Sequence, residues 1–315
     1  MVDFKSCWKL ARWPIVLFTL FACMFLEARL AGSAEDPKPA SGVKPQEVLP
    51  TASKEVPQTA RVEAGATVTA GTQDLPVPPV DEKHPLYLPL LEAYKAREVL
   101  KGVKDYEALF TKRELIGRRL QATTMHLKLR QEPFSVYLKF QGANAGREVI
   151  FVEGRNKDKQ NRDNLFVHEV GIRAIVGTLS LLPDGPQAMD GNRYPVTMIG
   201  MKSLLDKIIK QWEAEGKLGE IKAQKYPEAK LPSGEDCVAY ESMHPAPRNQ
   251  FPFHITRLWI DKKTGMPIRV EQLGFPQQGD KTPPVIEEYT YSKIRTNVPL
   301  ADVDFSIKNP SYAFP

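Results

Sequence analysis

Residues 120–153 read LQATTMHLKLRQEPFSVYLKFQGANAGREVIFVE. Three runs rich in β-branched and aromatic residues, 120–132, 134–141 and 148–153, are broken only at Pro133 and at the two-glycine segment 142–146. Runs of this composition between turn residues are strands. Parallel neighbours need a crossover of about a dozen residues or more, usually a helix, and the breaks are far too short for one. The three runs therefore form an antiparallel meander. In the last of them Val149 and Phe151 alternate with Ile150 and Val152, so both faces are apolar. A sheet with one wet side would alternate cleanly. Both faces of its middle must be covered, as when a strongly curled sheet wraps around a helix or a ligand.

The same texture extends outward from this stretch. A run over 103–116 ends at Gly117, and another over 165–170 follows the polar segment 154–164. Strands resume at 236–242, 253–261, 267–273 and 285–294, and the last structured piece lies near 303–307. Phe253, Ile255 and Trp259 alternate with Leu258 and Ile260, a second strand with two apolar faces. Two helices break the pattern. Over 86–100, Tyr87, Leu90, Leu91 and Tyr94 fall at helical spacing with Pro89 in the first turn. Over 199–216, Met201, Leu204, Leu205, Ile208, Ile209 and Trp212 make one stripe, with Lys202, Asp206, Lys207, Lys210 and Glu213 opposite. The residues predict an α+β, mainly antiparallel β fold whose second helix lies on the sheet.

The N-terminal part has another character. Lys5, Lys9 and Arg12 precede an apolar stretch, 13–26, that is closed by Glu27 and Arg29. It is shorter than the roughly 20 residues that span a bilayer, and it reads as a secretory signal, residues 1–34, cleaved after Ala34. A second reading is a lipid anchor at Cys23, because Leu20, Phe21, Ala22 and Cys23 resemble a lipobox, although Phe21 is bulky for one. Residues 35–83 hold eight prolines and no aromatic residue. Such a segment cannot bury enough apolar surface to offset its ordering entropy; it reads as a disordered linker with a reach on the order of 40 Å. The domain proper is expected over 84–315. Once the signal leaves, Cys237 is the one cysteine and no internal disulfide can form. The formal charge of +5 falls to +3 without the four basic and two acidic residues of the signal, an excess that indicates no particular partner and no nucleic acid.

Few residues suggest chemistry. His168 and Glu169 lack the second histidine of H-E-x-x-H, and the other histidines are scattered, so no metal site is expected. The segment 142–146 lacks the Gly-Lys-Ser/Thr of a phosphate loop, and no serine sits in a G-x-S-x-G elbow. No cofactor is expected. Cys237 follows Asp236, which raises a thiol pKa, and suits a buried structural role. Glu287 and Glu288 point to opposite faces of one strand and cannot act together. Arg193, in Arg193-Tyr194-Pro195, either ties a loop to the sheet or meets an anionic ligand.

The hairpin 259–269, WIDKKTGMPIR, resembles one common in the periplasmic lipoprotein-carrier superfamily. With PFSVY at 133–137, GRE at 146–148, RYP at 193–195, YTY at 289–291 and DF at 304–305, the chain more closely resembles a bacterial family of unknown function in that superfamily, over roughly 86–305. The resemblance implies a curled antiparallel sheet, an incomplete β-barrel with helices over its concave mouth, and raises the expectation of an apolar ligand. The chain departs from the carriers in its long linker and in an insertion at 217–233. Three functions follow as expectations. The first is an exported periplasmic or envelope protein, not an enzyme, that holds an acyl chain or other apolar group, with lipid or an acylated protein as partner. Its cavity candidates are Phe151, Met201, Ile208, Trp212 and Trp259, with Arg193 as the polar one. The alternative is an envelope protein–protein interaction module without a small ligand, and the third is an enzyme using Cys237, His244 or Asp261. Sequencing the mature N-terminus is expected to give Glu35 as the first residue; a diacylated Cys23 would instead make residues 35–83 a tether.

Overall fold

A computed structural model describes residues 76–315, so the signal and most of the linker lie outside the described residues. Eleven strands form one sheet, antiparallel throughout: β1 (Asp105–Ile116), β2 (Arg119–Arg130), β3 (Ser135–Phe140), β4 (Glu148–Val152), β5 (Leu165–His168), β6 (Thr178–Leu181), β7 (Lys222–Lys230), β8 (Asp236–Met243), β9 (Ile255–Asp261), β10 (Pro267–Leu273) and β11 (Val285–Thr296). The spatial order β6-β5-β4-β3-β2-β1-β11-β10-β9-β8-β7 consists of two meanders joined where β1 pairs with β11. The sheet curls without closing, because β6 and β7 are its two edges.

Among the described residues three α-helices accompany the sheet: α1 (Tyr87–Lys101), the single turn α2 (Pro186–Met189) and α3 (Met201–Glu215). The chain leaves the sheet at one edge, β6, and re-enters at the other, β7, with α3 in the crossing between them. The whole apolar stripe of α3 is buried, and Trp212 Nε1 donates to Ser242 Oγ of β8 at 2.9 Å. At the helix start the Met201 N–H donates to the Tyr106 hydroxyl of β1 at 3.1 Å. Gly200 is required there: its φ is +117°, and a Cβ would lie 2.8 Å from Leu129 Cδ1. Helix α1 packs beside α3, and Tyr94 Oη donates to Glu213 at 2.6 Å.

Both expected helices match the sequence pattern to within two residues. Three findings differ from it. The stretch read as insertion, 217–233, contains edge strand β7, with Pro227 and Lys222, Lys225 and Lys230 on it. These residues weaken a strand assignment from composition, yet they are what a sheet edge tolerates. Strand β6 is four residues long, at the lower limit of what periodicity resolves, and the sequence did not show it. Finally, order begins before residue 84. Pro78 is buried, and Val80 packs on the core so closely that a Cβ at Gly216 would approach its Cγ1 to 2.7 Å.

The two-faced strands are covered by protein. Val149 and Phe151 of β4 belong to the main core, while Ile150 and Val152 join a second cluster with Leu300, Phe305 and Phe314 of the C-terminal segment. That segment is fastened by the stack of Tyr312 on Tyr137, centroids 4.0 Å apart, and by buried Glu148, which accepts from Tyr137 Oη at 3.0 Å and Ala313 N at 2.8 Å. On β9, Leu258 is fully buried, and Trp259 lies under the Arg269 guanidinium at 4.6 Å. Replacing Trp212 by Ala is expected to lower the unfolding free energy by about 3–5 kcal/mol. Trp212→Phe, which keeps most of the apolar area and loses the Ser242 bond, should cost about 1–2 kcal/mol, read from urea unfolding.

Candidate functional site

A cavity of about 190 Å³ lies between the sheet, α3 and the segment 183–199 that carries α2. Its apolar wall is built by alternate residues of successive strands, Phe110, Met125, Leu138, Val149 and Val167, with Leu204 of α3 opposite. Because residues two apart share a face, each strand of the first meander contributes the set that points inward. The segment 183–199 lies over this wall with Val196 and Ile199.

Part of the wall is charged. Buried Glu287 of β11 accepts from Arg193 Nε at 2.9 Å, Tyr194 Oη at 2.8 Å and Lys207 Nζ at 2.7 Å, and Lys207 also bonds the Tyr194 hydroxyl. Next to it on the sheet, Glu114 of β1 accepts from Lys112 Nζ at 2.6 Å and Tyr289 Oη at 2.7 Å. Lys112 Nζ donates to Asn192 Oδ1 at 2.5 Å, and Arg193 also reaches the Leu115 carbonyl at 3.2 Å. Burial and then Glu287 and Glu114 push the Tyr289 phenol far above its ordinary pKa, so it stays a donor. Tyr194 is raised in the same way by burial and Glu287, against the opposing pull of Lys207. For Arg193, burial works against the charged form, but Glu287 and Tyr194 outweigh it and hold the guanidinium protonated. Lys112, Arg193 and Lys207 face Glu114 and Glu287, so this network holds one more cation than carboxylate.

The residues expected to line a cavity do not line this one. Phe151, Met201, Ile208 and Trp212 are core side chains, and Trp259 sits beneath Arg269 on the other face of β9 from Leu258. Their neighbours do the lining: Val149 on β4, and Ser203, Leu204 and Lys207 on α3. Arg193 ties the loop to the sheet through Glu287 and the Leu115 carbonyl. Lys207, assigned by helical period to the polar face, turns to Glu287, and no local signal marks it. Glu288, on the opposite face from Glu287, pairs with Arg113 at 2.7 Å.

The three side chains of the enzyme reading do not meet. Cys237 stands opposite Asp261 across β8 and β9, while His244 lies beyond the other end of β8, about 23 Å away along the strand. His244 is buried, stacked on Phe251 with centroids 3.7 Å apart and facing Glu215 at 3.3 Å. Burial and then Asp261 push the Cys237 thiol up to about 12, so it is protonated at neutral pH. Among the described residues no group of three or more His, Cys, Asp or Glu side chains is placed to hold a metal ion.

Residues 103–314 match the model of DUF1571, a family described as a protein of unknown function. The chain belongs to the DUF1571 family. The expectation of a family of unknown function is thereby met. No curated protein matches the chain. Similar solved structures include a DUF1329 family protein from Desulfovibrio piger, 12% identical over 71% of this chain and 98% of that one, with a TM-score of 0.35. Lipoprotein LppX from Mycobacterium tuberculosis is 13% identical over 67% and 96%, TM-score 0.39. The MucA/MucB complex from Pseudomonas aeruginosa contains a chain 15% identical over 67% and 60%, TM-score 0.35.

Glu287→Gln removes the charge that two cations share and is expected to destabilise the domain by about 3 kcal/mol. The check is a lower urea midpoint at unchanged slope.

Proposed function

We propose that this DUF1571 protein is a non-catalytic protein of the bacterial envelope that holds an acyl chain, or another apolar group of an amphiphile, between sheet and α3. The observation that carries the reading is the cavity itself, apolar on the strands and polar at the wall where the ammonium groups of Lys112 and Lys207 are held by Glu114 and Glu287. Its volume of about 190 Å³ exceeds the roughly 150 Å³ of an engineered apolar cavity that takes up benzene. An acyl chain would meet Phe110, Leu138, Val149 and Leu204, and its polar end would meet the ammonium groups. Export, which the basic and apolar N-terminal stretch predicts, would place the domain where lipids and acylated proteins are found.

The sheet edges speak against a protein partner that adds a strand. β7 carries Pro227 and three lysines and is bulged between Tyr226 and Ala229, while β6 offers only four residues. Such edges resist strand addition.

Native mass spectrometry of the protein from its host is expected to show adducts of lipid mass, and delipidated protein should take up a labelled fatty acid. Leu204→Trp, which fills the cavity from α3, should reduce uptake at least tenfold while leaving the circular dichroism spectrum unchanged. A wild-type protein that carries no lipid and takes up none sinks the proposal.

A further inference from the structure

The exposed aliphatic side chains of the domain are unevenly placed. Ile172, Ile175 and Val176 are 88%, 85% and 65% exposed, and all three fall in one 3-10 segment, Gly171–Val176, between β5 and β6. Its base is held: Val170 packs against Gly146, and Glu169 pairs with Arg147 at 3.2 Å on the cavity rim. Arg173 projects from the same segment. The register of the sheet puts the β1–β2 turn at the same end, and there Arg118 and Arg119 are exposed beside Leu120, itself 41% exposed.

Charge distinguishes this end. In the β4–β5 connection at the opposite end, three of the four basic residues are matched: Arg155 pairs with Asp302, Lys157 with Asp163 at 3.0 Å and Arg162 with Asp158 at 2.8 Å, which leaves Lys159. Among the described residues Arg118, Arg119 and Arg173 have no carboxylate partner. Exposed aliphatics with unmatched Arg173 among them, and two more unmatched arginines at the same end of the sheet, fit a surface that is apolar beneath a negative layer.

We propose that the segment Gly171–Val176, supported by the Arg118–Arg119 turn, docks on a membrane containing anionic lipid. Ile172, Ile175 and Val176 would enter the acyl boundary while the arginines meet the headgroups. A six-residue segment is too small for the roughly 1,200–2,000 Å² of a stable protein interface, and it lacks the aromatic anchors that dominate such interfaces. The docking does not require a ligand in the cavity, although it would bring the cavity rim at Arg147 to the membrane surface.

Hydrogen exchange of the full chain, read peptide by peptide, tests this with phosphatidylcholine vesicles alone and with phosphatidylglycerol added. Binding elsewhere in the chain cannot imitate a local result. Exchange in peptides covering 171–177 and 117–120 should slow several-fold on the anionic vesicles and not on the neutral ones. Ile172→Glu with Ile175→Glu should abolish the protection at 171–177, and Arg173→Glu should weaken vesicle binding about fivefold. Both sites are exposed, so the variants should keep the wild-type melting temperature. Unchanged exchange at both tips on anionic vesicles overturns the proposal, as does protection by soluble polyglutamate but not by vesicles, which would indicate an acidic protein partner. Loss of fatty-acid uptake in Leu204→Trp leaves this result untouched, so the two readings fail separately.

Discussion

Burial of one helical stripe, Met201 to Trp212, is the constraint on which this domain depends. The chain finishes its first meander at one edge of an open sheet and begins its second at the other. A connection that crosses the face of a curled sheet must bury its inner side. α3 does so with six large apolar residues, and it is anchored at both ends by bonds to the sheet, from the Met201 N–H to Tyr106 and from Trp212 to Ser242. The two meanders share only the β1–β11 ladder, so the helix is also what holds their inner faces together. Without it, the apolar faces of both halves would be exposed to water.

Where α3 leaves the sheet uncovered on the side of the first meander, the cavity remains. It stays open because the segment 183–199 is held there by charge and hydrogen bonds as much as by packing, through Asn192, Arg193 and Tyr194. Buried ion pairs add little net stability but fix geometry, since breaking one strands a charge. Neighbouring residues of β11 illustrate the two uses of charge. Glu287 faces inward and joins loop and helix. Glu288 faces outward and joins a row in which Arg113, Arg269, Glu271, Arg257 and Glu241 alternate across β1, β10, β9 and β8. That row runs across the outer face of the sheet from β1 to β8, and the C-terminal segment covers the outer face of the first meander at Tyr137, Ile150 and Val152.

Much of this was legible in order of signal strength. The 120–153 stretch shows a meander because its breaks are too short for anything else, and α3 shows itself by a long stripe at spacings of three and four. The cavity was harder to read. Size and apolarity point to Trp212, Ile208 and Phe151 as its lining, but the largest side chains fill the core, and the space is left beside smaller neighbours such as Val149 and Ser203. Lys207 was invisible because helical period assigns it to the polar face, and only the loop bearing Tyr194 makes that face part of the wall.

By itself, then, the sequence determined nine of the eleven strands, both long helices and the need to cover both faces of β4, because period and turn chemistry are local. The tertiary structure alone decided that β6 and β7 are strands, that the C-terminal segment supplies the outer cover, and that Lys112, Glu114, Lys207 and Glu287 meet at one wall. Those outcomes depend on which segments the curl of the sheet brings together, and no window along the chain contains both partners.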